Sequence, residues 1–395
     1  MRDKGLSRKA VLAELKKFLE QDRRYEDGRI LCAMCTEPHG IARTAHRWFL
    51  SANLGDAGLF PGSLKLEKEA IQRLAALLNG ENSVGFIVSG GTEANLLALW
   101  AARNMAGVHA PEVVLPESAH FSFKKICNLL GLKPVYASLD DAYRVKPSSI
   151  EKCISRNTVA IIGTAGTTEL GAVDPIDKLS AIAAAHGVHL HVDAAFGGLI
   201  IPFLNDLGYE AKEFDFRLEG VKSITVDPHK MGMTPIPAGG ILFRDSTFLE
   251  HIKTETPYLT EEWQYTFAGT RSGASAAATW AVFEHLGREG FKKTIQRCMR
   301  LTKFLSSRLE ALGFTLVAQP QLNIVAFKAA DAKQLCERLR QRGWFVSYIP
   351  RLDCIRVVVM PHLKRRHAVE FLDALRQIAQ PNAAVQNHNA REARI

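Results

Sequence analysis

Residues 223–233, "SITVDPHKMGM", run as a β-branched stretch into Asp227 and Pro228 and deliver His229 and Lys230 side by side just beyond it. A lysine in a loop after a buried strand is poorly placed for a surface ion pair and well placed to point into a crevice. Desolvation there is expected to lower its pKa and free the amine to attack a carbonyl, while His229 can donate to a phosphate. In "VSGGTEANLLALW", Ser89, Gly90, Gly91 and Thr92 lie between a strand and a helix. Such a turn is either a tight bend with a Ser/Thr cap or a cradle whose backbone N–H groups meet a phosphate or carboxylate at the positive helix end. In "HLHVDAAFGG", Asp193 ends a strand so apolar that its carboxylate needs a cation or several hydrogen bonds. It caps a helix or holds a proton on a ring nitrogen, and Ala194 and Ala195 beside it leave room for a flat molecule. His186, His189 and His191 read as packing or surface residues rather than metal ligands. An amine for a Schiff base, an acid for a pyridinium nitrogen and amides for a phosphate together describe a site for pyridoxal 5'-phosphate.

The elements that must position these groups follow from hydrophobic patterning. Seven apolar runs alternate with helical stretches: "GFIVSGG", "EVVLPES", "KPVYAS", "TVAIIGTAGTT", "VHLHVDAA", "SITVDPHK" and "GGILFR". Runs apolar on both faces and separated by helices predict a seven-stranded, mostly parallel sheet covered on both sides, an α/β fold with its crevice at the strand carboxyl ends. A helix capped by Ser7 opens an N-terminal arm over residues 1–50, and another helix is expected from about Leu66 to Leu78. The large domain spans 51–287. After Gly287 a long helix, three strands and two further helices predict a smaller α+β domain over 288–379, and the polar, aperiodic residues 380–395 read as a disordered tail.

Bulk properties exclude several classes. A chain of 395 residues with 47% hydrophobic and 23% charged content is globular, and it is long enough for more than one core. The net charge of +9 is dispersed among nearly as many acids. Its one dense run, Lys364 to His367, reads as a solvated helix start, so no nucleic-acid partner is expected. No apolar run reaches the length of a membrane span. Seven scattered cysteines and an N-terminus without a signal-like stretch fit a reducing cytoplasm. Cys32 and Cys35 form one C-x-x-C without the second ligand pair of a structural zinc site, so no metal is expected.

The chain resembles the group II pyridoxal-phosphate-dependent amino acid decarboxylases, most closely the archaeal L-tyrosine/L-aspartate decarboxylase family. The likeness is carried by "NLGDAGLFPGS", "IVSGGTEAN", "AHFSF", "GTAGTTELG", "HVDAAFGGL", "SITVDPHKMG", "PYLTE", "GTRSG" and "VVVMPH". It implies the aspartate aminotransferase-like fold type I and a homodimer with active sites at the subunit interface. It also implies that Lys230 bonds the cofactor and that Asp193 keeps the ring nitrogen protonated. His120 would stack on one ring face with Ala195 on the other. Ser89, Gly90, Gly91, Thr92 and His229 would hold the phosphate, with Thr270 reaching in from the neighbouring subunit and Thr167 near the ring edge. Arg356 would grip the substrate α-carboxylate, and Tyr258, on a mobile loop, would return a proton to Cα. The implied reactions are L-tyrosine to tyramine for methanofuran synthesis, L-aspartate to β-alanine for coenzyme A synthesis, or both. Phe60, His46 and Arg271 lie near these motifs, but spacing places none of them in a side-chain pocket. Two other readings stay open at this level: a carbon–carbon lyase resembling sphingosine phosphate lyase, and a non-enzymatic basic binding module.

Overall fold

The structure, a computed structural model, describes residues 1–379; the tail expected over 380–395 lies outside the described residues. The central sheet contains β1 (Val84–Val88), β2 (Glu112–Pro116), β3 (Lys133–Ala137), β4 (Thr158–Thr164), β5 (His189–Asp193), β6 (Val221–Val226) and β7 (Gly239–Phe243). These are the seven runs read from the sequence. Their order is β1-β7-β6-β5-β4-β2-β3, and only β7 runs antiparallel to its neighbours. Strands β4 and β5 are buried at every position, which is why they read as continuous runs rather than as alternation.

Helices α1 (Arg8–Leu19), α2 (Gly40–Trp48), α3 (Pro61–Leu77), α4 (Gly91–Ala106), α5 (Ser122–Leu130), α6 (Pro147–Cys153) and α7 (Ile176–His186) connect or flank these strands. Helix α3 begins at Pro61 rather than near Leu66, because a proline at the first helical position has its φ preset and no N–H to satisfy. Helix α4 covers the face of β5 that carries His191 and Asp193, to which Asn95 is hydrogen-bonded. Helix α7 covers the opposite face, where Ile176 and Leu179 close over Gly163.

A two-stranded ribbon, β8 (Thr254–Glu255) with β9 (Trp263–Gln264), precedes α8 (Gly273–Ala311). The long helix thus starts before Gly287. Ser272 caps it by accepting the Ser275 N–H (3.2 Å), and Gly287 kinks it with φ 53°. Beyond the kink, β10 (Ile324–Phe327), α9 (Ala332–Gln341), β11 (Ser347–Ile349), β12 (Cys354–Val358) and α10 (Arg365–Ala379) build a second core around an antiparallel sheet ordered β10-β12-β11. The N-terminal arm is not one unit. Leu31 is buried in this second core and exchanges backbone bonds with Phe345 and Val358 (2.8 and 2.7 Å). Helix α1, capped by Ser7 as expected, buries no residue at all.

Candidate active site

The carboxyl ends of β1, β2, β4, β5 and β6 converge on a cavity of about 300 Å³. Parallel register sets Thr164, Asp193 and Thr225 side by side at the ends of β4, β5 and β6, and the first two line the cavity. After β6 the chain turns through Asp227, Pro228, His229 and Lys230, closed by the Lys230 N–H donating to the Asp227 carbonyl (3.0 Å), with proline at the second turn position where its φ is favoured. The turn aims Lys230 into the cavity. Its Nζ lies 3.0 Å from Asp227 Oδ2, and its side chain is 18% exposed.

This pairing reverses one expectation. Burial lowers the Lys230 pKa, but the carboxylates of Asp227 and Asp193 outweigh it, and the ammonium is held above its ordinary value. Lys230 must therefore give up a proton before it can act as a nucleophile, and Asp227, which the sequence reading left without a role, is the group beside it. The second carboxylate oxygen of Asp227 is buried without a partner.

Asp193 accepts the Ala195 N–H on Oδ1 (3.1 Å) and the Asn95 amide on Oδ2 (2.9 Å). His120, which follows β2, accepts the Ser122 N–H on Nδ1 (3.3 Å), so its proton sits on Nε2; burial holds its pKa below the usual value. His229 likewise accepts the Ala238 N–H on Nδ1 (3.2 Å), is lowered mainly by burial, and presents Nε2–H. At the start of α4, the Gly91 and Thr92 N–H groups are first-turn donors without partners in the helix. At Gly91 the backbone lies close against the site: a Cβ there would sit 3.0 Å from Asp227 Oδ2 and 3.2 Å from Ala195 Cβ, tighter than ordinary contact. Ser89 lines the cavity, but both its N–H and its hydroxyl donate to Glu93 Oε2 (2.9 and 2.6 Å).

Four predicted residues stand outside the lining of this chain's cavity. Thr167 is buried and caps its turn, Oγ1 accepting the Ala172 N–H (3.0 Å), while its neighbours Gly166 and Thr168 face the cavity. Thr270 is exposed and borders an adjoining cavity with Ser89, Glu93 and Arg271. Tyr258, between β8 and β9, is 87% exposed. Arg356 lies behind Thr168, donating to the Thr168 and Cys32 carbonyls (2.5 and 2.6 Å) and to Ser347 Oγ (3.1 Å), with Nε unpaired. Arg271 is committed to a buried ion pair with Glu67.

Besides Asp227, the sequence reading gave no role to Asn95, Met34, Phe196 or Thr168. Asn95 was reachable, since it lies four residues beyond Gly91 on the same helix face. Met34, from the distant arm, carries no local signal. Among the described residues no three His, Cys, Asp or Glu side chains gather as a metal-ligand set, and no helix is long and apolar enough to cross a membrane.

Behind Asp193, His191 bonds Asn95 Oδ1 through Nε2 (2.9 Å) and Ser223 Oγ through Nδ1 (2.8 Å), and Ser223 Oγ meets His189 Nε2 (2.7 Å). Burial pushes both imidazoles down to about 3. His362 is pushed down to about 4, again mainly by burial. Their ordinary value is 6.5, so the unfolded chain binds more protons from there downward. Stability is full above pH 6.5 and is lost as pH falls toward 3. Asp174, raised by burial to about 6 from 3.8, acts in the opposite sense as one group against three. Calorimetry should show Tm falling steadily from pH 6.5 to 4; a flat Tm would mean that these rings are not buried in the neutral form.

The donor set fits pyridoxal phosphate: an amine on a turn, a carboxylate with both oxygens oriented by N–H donors, and a glycine cradle that a side chain would fill. Sheet order and site together define a pyridoxal-phosphate enzyme of fold type I. Residues 55–330 match the pyridoxal-dependent decarboxylase conserved domain, and the chain belongs to that family. It is 54% identical over 350 residues to the probable L-tyrosine/L-aspartate decarboxylase of Methanothermobacter thermautotrophicus, covering 88% of this chain and 96% of that one. It is 51% identical over 380 residues to the L-aspartate decarboxylase of Thermococcus kodakarensis, covering 95% and 98%. The solved sphingosine-1-phosphate lyase of Burkholderia pseudomallei superposes with a TM-score of 0.89 at 29% identity, covering 100% of this chain and 96% of that one. The chain is thus a pyridoxal-phosphate-dependent carboxy-lyase, which sets aside the non-enzymatic binding module.

Proposed function

We propose that this enzyme decarboxylates L-aspartate to β-alanine, with L-tyrosine to tyramine as a second reading of the same site. The convergence of Lys230, Asp193, His120 and the glycine cradle on one cavity carries the proposal. Bound there, pyridoxal phosphate supplies the electron sink for the pair left on Cα when CO₂ departs. Lys230, whose amine faces the cavity, would be the covalent attachment point for the cofactor. Asp193 accepts the ring N–H and keeps that proton in place. His120 and Ala195, both lining the cavity, would enclose the flat ring between them. The N–H groups of Gly91 and Thr92 and Nε2–H of His229 bind the phosphate, while Ser89 and Gly90 shape the turn. Thr167 braces the loop that brings Gly166 and Thr168 to the ring edge.

Arg356 receives the α-carboxylate; its buried guanidinium, its unpaired Nε and its bond to the backbone of Thr168 support that role. Fixing the orientation of the substrate carboxylate is most of what such positioning would contribute. Tyr258 would return the proton to Cα once its exposed loop closed over the cavity. The printed name of the 51% identical relative, an L-aspartate decarboxylase, supports aspartate as the first reading. The printed name of the 54% identical relative favours tyrosine as the second substrate. The product then enters coenzyme A synthesis as β-alanine or methanofuran synthesis as tyramine.

The enzyme acts as a homodimer in this proposal. Leu12, Leu15, Phe18 and Leu19 on α1, with Trp48, Phe121 and Phe267, are exposed apolar side chains that a second copy would cover, and Thr270 would complete the partner's site. Light scattering should give the mass of two chains, and Phe18→Asp with Leu15→Asp should shift it toward one; a monomeric wild type would sink this part. For the reaction, loaded enzyme is given both amino acids and the products are identified by mass spectrometry. β-Alanine with CO₂ release supports the proposal, predominant tyramine the second reading. Carbon–carbon cleavage without CO₂ release would replace both with the lyase reaction.

A further inference from the structure

We propose that Asn95, His191, Ser223 and His189 form a one-directional hydrogen-bond relay that positions Asp193 against the cofactor ring, a role that rests on the cofactor assignment above. The direction of every bond follows from one end. A carboxylate only accepts, so the Asn95 group 2.9 Å from Asp193 Oδ2 is the amide nitrogen. Asn95 Oδ1 is then the acceptor for Thr225 Oγ1–H (2.7 Å) and for His191 Nε2–H (2.9 Å). With its proton on Nε2, His191 accepts at Nδ1 from the Ser223 hydroxyl (2.8 Å), and Ser223 Oγ accepts from His189 Nε2–H (2.7 Å). The relay ends there, since His189 Nδ1 is buried without a partner.

The arrangement is built by sheet register. His189, His191 and Asp193 are alternate residues on one face of β5, and β6 places Ser223 beside His191 and Thr225 beside Asp193. Helix α4 lowers Asn95 onto that face, where Phe123 meets the edge of the His191 ring. A row of polar side chains in the core costs desolvation that an apolar filling would avoid. What the row provides is orientation. A flipped Asn95 would set its oxygen against the Asp193 carboxylate and its NH₂ against two donors, and the relay forbids that flip. Asp193 is then left with one oxygen oriented by Asn95 and the other by the Ala195 N–H. These residues act through Asp193 and are positioning residues; Asn95 alone also borders the cavity.

The test uses full-length wild-type protein and the variants His191→Leu, His191→Gln and Ser223→Ala. Each is titrated with pyridoxal phosphate without substrate, reading the absorbance band of the bound cofactor and its Kd, followed by kcat, KM and Tm. His191→Leu should shift the band, weaken the cofactor and lower kcat by about ten- to a hundredfold with KM little changed, the usual cost of losing an outer partner of a functional ligand. His191→Gln, which keeps an N–H within reach of Asn95, should recover most of the loss. Ser223→Ala, a small truncation that decides the matter if His191→Leu does not fold, should fall between. Variants that keep the wild-type band, Kd and kcat while only Tm drops would reduce the relay to packing and overturn the proposal. A wild-type protein that takes up no cofactor overturns the parent assignment, and the role of the relay with it.

Discussion

Lys230→Ala protein should bind pyridoxal phosphate without a covalent link and lose decarboxylation by on the order of 10³-fold, the scale of removing a positioned proton-transfer and attachment group. Borohydride reduction followed by intact-mass measurement reads the link directly: wild type gains the mass of the reduced cofactor and the variant does not. The substitution also removes the cation 3.0 Å from Asp227, whose side chain is 3% exposed, so some loss of Tm is expected as well. Lys230→Arg separates the two effects by keeping the charge and removing the reactive amine. If Lys230→Ala still gained the cofactor mass at one site, another amine would be the attachment point. Because Asp227 and Asp193 hold the Lys230 proton, wild-type cofactor uptake should quicken as pH rises toward the alkaline range.

Asp193→Asn should lower kcat by about 10² to 10³-fold, comparable to removing one preorganised electrostatic group from an active site. The isosteric amide cannot serve both existing donors. Asp193 accepts Ala195 N–H on one oxygen and Asn95 Nδ2–H on the other. In asparagine one of these ends becomes NH₂ and faces a donor, at a cost of about 1 to 3 kcal/mol. Turned toward a bound ring nitrogen instead, that NH₂ would present a donor where an acceptor is needed, and the nitrogen would lose its proton. Either way the electron sink is weakened, and both kcat and the bound-cofactor absorbance should report it. An Asp193→Asn enzyme with wild-type kcat would remove Asp193 from the assignment.

The fold was largely readable because buried parallel strands announce themselves as unbroken apolar runs, and "TVAIIGTAGTT" and "HLHVDAA" are two of them. Placement of Lys230, Asp193 and the 89–92 turn followed, since each lies within a few residues of a strand end. The helix boundaries at Pro61 and Gly273 were missed because loops rich in Gly, Pro and Ser hide the first turn of a helix. Spacing alone could not place Arg271, and the structure commits it to Glu67, a partner that no local pattern connects to it.

By itself the sequence determined the kinds of chemistry present and the strand ends that carry them, because strand burial and turn residues are local properties. Tertiary structure alone decided which groups meet. The registers of β4, β5 and β6 set Thr164, Asp193 and Thr225 level, and the β6 turn put Asp227 rather than solvent beside Lys230, which reversed the direction of the amine's pKa. It also drew Met34 from the arm to the cavity and turned two strand histidines into a relay behind Asp193. Charge interactions and hydrogen bonds depend on distances across the sheet, and a linear pattern records periodicity, not distance.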